Sequence, residues 1–353
     1  RCHWQRAKRD FPSAFRSVPH WVRKKRCCAW RESSRLPAPG TIESELSGLA
    51  MHSYQFDLFN AFTENAFGGS PAGIIYDGAK LSTAQMQQIA REVGAPATCF
   101  VIRVKRCDVH ARFFSTVQEY PMCGHGTLGL MTGLVERGHL EVSFGQTKKF
   151  HLHTTASSAV VEVTHRSDSR IEVMLKLTPA VFQSASLTAD QFKVFFGVSS
   201  KAMDSSLPVE YTVSDFSHLV VPLKSLDDIR AVTPDFERIH EFCTQHTIDT
   251  VILFSQQTVH PDSTVHCREF APRVGTPEVP AAGTTNRALS CYLVRHDLLE
   301  CSDEKSRTVT SEQGYEMDRP SVVTTRMALD DKTPTDLWVG GVATKVVSGQ
   351  FFV

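Results

Sequence analysis

A cysteine and a histidine two positions apart precede an apolar stretch with helical periodicity. Cys123, Gly124 and His125 lead into residues 127–136, which we predict to form a buried helix ended by Gly138. A helix start lowers the pKa of a thiol and favours the thiolate, so Cys123 is a candidate base. The imidazole of His125 titrates near neutral pH and is a candidate general acid. The alternatives are structural: Cys123 packs at the helix start, and His125 caps the loop.

A second loop repeats this arrangement later in the chain. Residues 280–285, PAAGTT, lead into another apolar helix predicted at residues 286–295. An ungapped alignment of residues 121–140 with residues 280–299 matches a proline, a glycine, three leucines and a valine. Shared leucines alone are explained by helical periodicity. The matched proline and glycine before each helix favour an internal duplication.

Two such helix starts predict an anion-binding site. The N–H groups at a helix N-terminus have no partner within the helix, and the helix dipole adds a partial positive charge there. One start from each half can hold a substrate carboxylate in the cleft between the halves. We therefore expect Gly124, Gly126, Gly283, Thr284 and Thr285 to contact the substrate. A simple N-cap role is the alternative for Thr284.

Composition narrows the classes of function. The chain has 353 residues, a length typical of two domains, and 41% of them are hydrophobic. Lys and Arg (38) balance Asp and Glu (38), and no basic patch is present after residue 50, so we expect no nucleic-acid binding. Apolar runs are far shorter than the ~20 residues of a membrane helix, so we expect no membrane association. The ten cysteines form no CxxC pair, and no secretory signal precedes the patterned part. We expect no metal site, no disulfide framework and a cytoplasmic protein.

Residues 1–50 differ in character from the rest of the chain, because they are rich in arginine and tryptophan and poor in acidic residues. We expect this basic extension to be disordered or outside the fold. A transit peptide and a basic arm that binds an acidic partner are the alternatives.

From Met51 onwards the pattern predicts many short strands and few helices. Ser82 is a predicted helix cap, and we expect two strands around a turn at Ser348 and Gly349 at the end of the chain. The predicted strands are residues 54–59, 74–76, 99–102, 109–114, pieces within 149–177, 217–223 and 250–254. The further helices are 83–93, 189–196 and 235–245; a turn-rich link lies at 67–73, and the segment 265–270 leads into the second loop.

Several strings together resemble the signatures of the PhzF-like isomerases. They run in that family's order from Met51 to Val353: residues 57–59 (DLF), 67–73 (FGGSPAG), 121–127 (PMCGHGT), 270–272 (FAP), 278–284 (EVPAAGT), 311–317 (SEQGYEM) and the glycines 340, 341 and 349. The resemblance implies an α+β protein with two similar domains of diaminopimelate epimerase-like fold. Each domain is expected to be a barrel-like, mostly antiparallel sheet around a central helix. We place the first domain at residues 51–175, joined by C-terminal strands at 340–353, and the second at residues 176–339.

The resemblance also implies an activity. Relatives are isomerases that move a proton on a carbon next to a carboxylate, and they need neither a metal nor an organic cofactor. The expected partner is a small carboxylate-bearing substrate, in secondary metabolite biosynthesis, and the expected assembly is a homodimer.

Three positions depart from the family pattern. The family usually has a proton-shuttling Glu where Ala97 stands, an Asp where Val279 stands and an Asn where Ser70 stands. Glu278 is then the nearest remaining carboxylate. The catalytic candidates are therefore His125, Cys123 and Glu278, and Ser70 joins the substrate-binding candidates.

Three hypotheses about function stay open at this point. The first is an isomerase with an altered substrate. The second is a pseudoenzyme that binds a substrate without turning it over, indicated by the two lost carboxylates. The third is a hydroxyproline-type epimerase or dehydratase that uses Cys123. Racemisation by two facing cysteines is not expected, because Ala282 occupies the position that would face Cys123.

Overall fold

The fold is known from a computed structural model, which describes residues 52–213, 216–299, 305–331 and 333–353. Our expectations for residues 1–50 lie outside these ranges. The described residues contain six α-helices: α1 Thr83–Val93, α2 Gly124–Glu136, α3 Ala189–Phe196, α4 Leu226–Ala231, α5 Phe236–His246 and α6 Gly283–Arg295.

All strands of the described part belong to one large mixed sheet. In chain order they are β1 Ser53–Ala61, β2 Ser70–Ile75, β3 Ala97–Lys105, β4 Asp108–Phe114, β5 Glu119–Tyr120, β6 Thr147–His153, β7 Ser158–His165, β8 Ile171–Leu177, β9 Phe182–Ser184, β10 Glu210–Thr212, β11 His218–Pro222, β12 Thr250–Ser255, β13 Val265–Ala271, β14 Thr276–Val279, β15 Ser306–Gln313, β16 Ser321–Asp330 and β17 Thr333–Phe352.

The order of strand pairing occurs twice. In the first half, which contains β1 to β8, β2 runs parallel to β3. Strand β4 lies antiparallel to both β3 and β5 and parallel to β6, and β6, β7 and β8 are antiparallel neighbours. In the second half, which contains β10 to β17, β11 runs parallel to β12. Strand β13 lies antiparallel to both β12 and β14 and parallel to β15, and β15, β16 and β17 are antiparallel neighbours. Helix α2 comes after β5, and α6 comes after β14. The duplication inferred from the two loops therefore extends to the whole pairing scheme.

The outer helices of the two halves begin and end alike. Ser82 and Thr188 each accept a hydrogen bond from the backbone N–H of a glutamine three residues on, whose side chain in turn accepts from the backbone N–H of the cap. This capping box satisfies two N–H groups that the helix leaves unpaired. Gly94 and Gly197 end the helices at φ 68°, where only glycine is free of strain. The predictions for α1 and α3 are confirmed.

The central helices begin earlier than predicted. We expected starts at residues 127 and 286, but α2 begins at Gly124 and α6 at Gly283. The apolar periodicity misses these first turns because they consist of glycine, threonine and histidine. The buried residues of α2 lie on all its faces, since the helix contacts β2, β8 and β17.

The chain end is one strand and not two. We expected a turn at Ser348 and Gly349, yet β17 is continuous from Thr333 to Phe352. Its last part pairs antiparallel with β1, and Gly349 lies opposite Phe56 in that ladder. Cross-strand hydrogen bonds hold the backbone extended there, and the register of the ladder shifts between Leu58 and Phe59. Earlier in the same strand, β17 pairs with β8 and β16.

Strand β2 also begins inside the segment that we expected to be a turn-rich link. Ser70 pairs with Ala61 of β1, and Gly73 pairs with Leu58. A Cβ atom at Gly73 would lie 2.9 Å from Cγ1 of Val93, so this glycine makes room for α1. The α+β class is confirmed. The division into domains at residue 175 stays a prediction.

Candidate active site

The two central helices start with the same geometry. The N-cap residues are Cys123, with φ −142° and ψ 116°, and Ala282, with φ −141° and ψ 125°, and neither side chain caps its helix. In most helices a Ser, Thr, Asp or Asn occupies this position and satisfies an N–H group. Cα atoms of α2 and α6 approach within 8 Å of each other. Both helices therefore keep first-turn N–H groups that no N-cap side chain has taken.

Each of these helices opens on a glycine beside which a methyl group would fit without a clash. A Cβ atom at Gly124 would meet nothing within 4 Å, and one at Gly283 would meet only ordinary contacts at 3.6 Å and 3.9 Å. Neither glycine has a positive φ. Packing and backbone conformation thus do not require glycine at either position. Close approach of the backbone to a ligand is the remaining reason for it among those known for glycine.

Cys123 and His125 lie together at the start of α2. The sulfur of Cys123 is 3.4 Å from Nδ1 of His125. Cys123 is buried and His125 is partly buried. Burial raises the pKa of the Cys123 thiol to about 12, although backbone N–H groups of His125 and Gly126 favour the thiolate. Our expectation of a thiolate is therefore wrong, because desolvation outweighs the helix start.

Burial also lowers the pKa of His125 to about 4. The imidazole is thus neutral near pH 7, with one nitrogen able to donate and the other able to accept a hydrogen bond. We expected a pKa near working pH, and the structure corrects this. At the start of α6, Thr284 is exposed and Thr285 is buried. Ser70 is buried at the start of β2.

Glu278 lies in an ion pair that the sequence did not indicate. Arg268 on β13 donates from Nε and Nη2 to its two carboxylate oxygens, at 2.8 Å and 2.9 Å. The guanidinium also donates from Nη1 to the backbone oxygens of Ile229 and Val232. Both partners are largely buried, with side chains 6% and 12% exposed. A base role for Glu278 would require this pair to open.

The first half contains the same pair at the equivalent place. Arg112 on β4 donates from Nε and Nη2 to Glu119 on β5, at 2.8 Å and 2.6 Å. The two guanidinium groups also lie over equivalent rings, Phe114 and Phe270, each at 5.1 Å. The repetition indicates a structural role for the Arg–Glu pair in each half, including the pair that contains Glu278.

A carboxylate that the sequence analysis missed lies beneath the start of α6. Glu269 is 2% exposed on β13, and Oγ1 of Thr285 donates to its Oε1 at 2.6 Å. Nε2 of Gln313 lies 3.3 Å from the other carboxylate oxygen. Burial raises the pKa of Glu269 to about 7. The available signal was the alternation in β13, which turns Glu269 to the face opposite Arg268 and Phe270.

A buried histidine completes this polar cluster. Nδ1 of His218 on β11 lies 2.8 Å from Oγ1 of Thr250 and 3.3 Å from Oγ1 of Thr285. Its Nε2 is buried without a hydrogen-bond partner. Burial, followed by the charge of Arg287, lowers the pKa of His218 to about 3, so this imidazole is neutral.

Other features lie apart from these residues. A cavity of about 290 Å³ is lined by residues that include Phe62, Arg166, His260 and Tyr315, and by none of the predicted site residues. Among the described residues, no three His, Cys, Asp or Glu side chains are grouped so that they could hold a metal ion. None of the described helices is long and apolar enough to cross a membrane.

Comparison with known proteins gives one consistent family. The sequence profile described as "Phenazine biosynthesis-like protein" (PhzC-PhzF) matches residues 59–349. An uncharacterized isomerase of Bacillus subtilis, YfhB, is 28% identical over 272 residues, which cover 76% of this chain and 89% of that protein. Trans-2,3-dihydro-3-hydroxyanthranilate isomerase of Pseudomonas chlororaphis is 25% identical over 287 residues, covering 78% of this chain and 90% of the enzyme.

A solved structure agrees with the sequence relatives. The crystal structure of a PhzF-family phenazine biosynthesis protein from Bacillus anthracis superposes with a TM-score of 0.76 at 25% identity. The alignment covers 86% of this chain and 99% of that one. The expected diaminopimelate epimerase-like fold class is confirmed.

Proposed function

Because this chain belongs to the phenazine biosynthesis-like family, we propose that it is an isomerase that moves a proton on a small carboxylate-bearing metabolite, without a metal or organic cofactor. The observation that carries this proposal is the pair of uncapped helix starts, each opening on a glycine that neither packing nor backbone conformation requires. Unpaired N–H groups and the helix dipole make such starts suitable for an anion. The carboxylate of the substrate is the anion that we assign to them.

In this mechanism His125 carries the proton. The free imidazole is neutral, since its pKa is lowered to about 4, so one nitrogen is free to accept. A carboxylate bound at the helix starts favours the protonated form of a nearby imidazole. His125 then takes a proton from one carbon of the substrate, exchanges it with solvent, and delivers a proton to another carbon, one of the two being next to the carboxylate. The electron pair left by the first transfer forms the new double bond, and the electrons of the original double bond form the new C–H bond.

Cys123 has a lesser role in this proposal. A buried thiol with a pKa of about 12 is protonated at neutral pH and is a poor base. Its sulfur lies beside Nδ1 of His125, so it contributes to the placement of the ring. The hydroxyproline-type epimerase, which needs a reactive thiolate, is correspondingly less favoured.

A second candidate function is substrate binding without turnover. The observation that favours it is the loss of carboxylates at two family positions. Ala97 is fully buried at the start of β3, and Val279 ends β14. If both carboxylates are needed for proton transfer, the anion site would still bind ligand, but no exchange would occur.

Isotope exchange separates these two functions. The first compound to test is trans-2,3-dihydro-3-hydroxyanthranilate, the substrate that names the Pseudomonas relative. By similarity to that relative, we propose a role in secondary metabolism. The protein is incubated with this compound in D₂O, and the product is read by NMR and mass spectrometry. An isomerase incorporates deuterium at carbon and shifts the double bond. Saturable binding without incorporation would support the pseudoenzyme.

A further inference from the structure

Glu269 lies across a strand pair from the rim of the proposed anion site. The register of β13 and β14 places Glu269 directly opposite Val279, and opposite residues of an antiparallel pair point to the same face of the sheet. Val279 is followed by Pro280, Ala281 and the N-cap Ala282. The carboxyl group therefore sits below the loop that opens α6.

Hydrogen bonds connect this carboxyl group to the first turn of α6. Thr285, the third residue of the helix, donates to Glu269 at 2.6 Å. Nε2 of Gln313 donates to the backbone oxygen of Val279 at 2.8 Å and lies 3.3 Å from Oε2 of Glu269. Asn286 links Oε1 of Gln313 to the backbone oxygen of Ala282. These hydrogen bonds connect the charge state of Glu269 to the first turn of α6.

The first half has no carboxyl group at the position equivalent to Glu269. Phe113 occupies the place of Glu269, because it pairs with Tyr120 as Glu269 pairs with Val279. Gly126, the third residue of α2, occupies the place of Thr285. A Cβ atom at Gly126 would lie 3.0 Å from the ring of Phe113. The duplicated fold is therefore complete with an apolar contact here, and a buried carboxyl group is costly unless it serves a purpose.

With its pKa raised to about 7 by burial, Glu269 is close to half protonated at neutral pH. The titratable groups nearest Glu269 are Cys267 on β13 and His218 on β11, which is neutral; the charge of Arg287 on α6 acts on His218. Burial raises the pKa of Cys267 well above its ordinary value, so this thiol is also uncharged. The groups that face Glu269 from β12, β14 and β15 are the uncharged Thr250, Val279 and Gln313.

We propose that Glu269 is a positioning residue that acts through Thr285 to control anion binding at the start of α6. When Glu269 is protonated, it donates to Thr285, and the positive end of the helix is available to a substrate carboxylate. When Glu269 is ionised, its charge occupies that field and repels the carboxylate. Binding of the substrate anion therefore takes up a proton from solvent onto each Glu269 that is ionised beforehand. This inference rests on the proposed function, since it takes the anion site at α6 as given.

The test is calorimetric titration of the full chain with 3-hydroxyanthranilate, an aromatic carboxylate related to the substrate of the Pseudomonas enzyme. For the wild-type protein, the Kd rises about tenfold between about pH 6 and pH 8.5, the range in which Glu269 loses its proton. Titrations at neutral pH in two buffers of different ionisation enthalpy show net proton uptake. Glu269→Gln removes the charge change, so its Kd is the same at both pH values.

Further variants distinguish the coupling from a general structural effect. Thr285→Ser keeps the hydroxyl group and the pH dependence, whereas Thr285→Val loses the dependence. Glu92→Gln removes an exposed carboxylate on α1 of the first half and leaves the dependence intact. If Glu269→Gln does not fold, the comparison of the pH dependence of Kd in Thr285→Val and Thr285→Ser decides the matter, because only the loss of the hydroxyl group breaks the link to Glu269.

The outcomes separate this inference from the proposed function. Binding of 3-hydroxyanthranilate with no proton uptake, and with an unchanged Kd across this pH range, overturns the role of Glu269 and leaves the anion site standing. No binding at either pH contradicts the anion site and, with it, the inference. Dependence that persists in Glu269→Gln also overturns the inference, because another group must then titrate.

Discussion

Arg268 holds Glu278 through two parallel hydrogen bonds, from Nε and Nη2 to the two carboxylate oxygens. The sequence did not indicate this ion pair, and we had interpreted Glu278 as the remaining carboxylate nearest the cleft. Because the pair is buried and repeated between Arg112 and Glu119, we interpret it as a structural element of each half.

The first prediction concerns the stability that this pair provides. Glu278→Gln leaves the charge of Arg268 buried without its partner, so the free energy of unfolding falls by about 3 kcal/mol. Glu119→Gln breaks the more exposed equivalent and costs about 1 kcal/mol. Urea unfolding of both variants measures the difference. The exchange rate of folded Glu278→Gln stays within about tenfold of wild type; a loss on the scale of a missing general base would restore Glu278 as a catalytic residue.

The second prediction compares the two side chains at the start of α2. His125→Ala removes the proposed proton carrier and lowers deuterium exchange by about 10²–10⁴-fold. Cys123→Ser replaces a thiol that is already protonated, so it costs less than about tenfold. Exchange rates measured with trans-2,3-dihydro-3-hydroxyanthranilate decide between them. If Cys123→Ser abolished exchange and His125→Ala barely altered it, the thiol would be the base.

The third prediction uses the empty space beside two glycines. Gly124→Ala and Gly283→Ala introduce a methyl group that meets no close neighbour, and alanine favours helix, so stability is unchanged or rises by up to about 1 kcal/mol. Binding of 3-hydroxyanthranilate weakens in both variants, because the methyl group occupies the place of the ligand. Gly133→Ala is the matched control in α2: its Cβ atom would collide with the hydroxyl of Tyr76, so that variant loses stability.

Gains in stability without any loss of binding at Gly124 and Gly283 would contradict the ligand site. Calorimetry and thermal unfolding on the same samples give both quantities.

The fourth prediction concerns stability as a function of pH. The pKa of Glu269 is raised from 4.5 to about 7 on folding, so the folded state binds its proton more tightly than the unfolded state. The stability associated with this proton is complete below about pH 4.5 and is lost as the pH rises through about 7. Between pH 5 and pH 8, wild type therefore loses about 2 kcal/mol more than Glu269→Gln. Parallel pH profiles in urea would argue against a raised pKa at this position.

Local chemistry explains which parts of the fold were predictable. Ser82, the predicted cap, satisfies its own helix within one turn, and α1 begins where this residue predicts. Thr188 caps α3 in the same way, at the start of the predicted helical stretch. The motifs around Cys123 and Gly283 likewise indicated two helix starts, because glycine and proline limit the backbone locally. The family resemblance gave the α+β class through short strings of residues, several of which lie at the starts of helices and strands.

What was not predictable depends on contacts between distant segments. The opposition of Glu269 and Val279 is a matter of register between β13 and β14. The raised pKa of Cys123 depends on burial by the surrounding sheet, which a helix-start argument does not include. The turn expected at Ser348 and Gly349 is absent because β1, which is distant in sequence, pairs with these residues and holds that backbone extended.

The long last strand has a consequence for the order in which the protein is made. In the second half, β10 pairs with β9, which is synthesised before β10. In the first half, β1 must wait for Ala343–Phe352 of β17, which is synthesised long after it. One edge of β1 therefore stays without its native partner until this segment has been made. Chains cut short before residue 343 would expose this edge to pairing with other molecules, and aggregation of such fragments is the expected result.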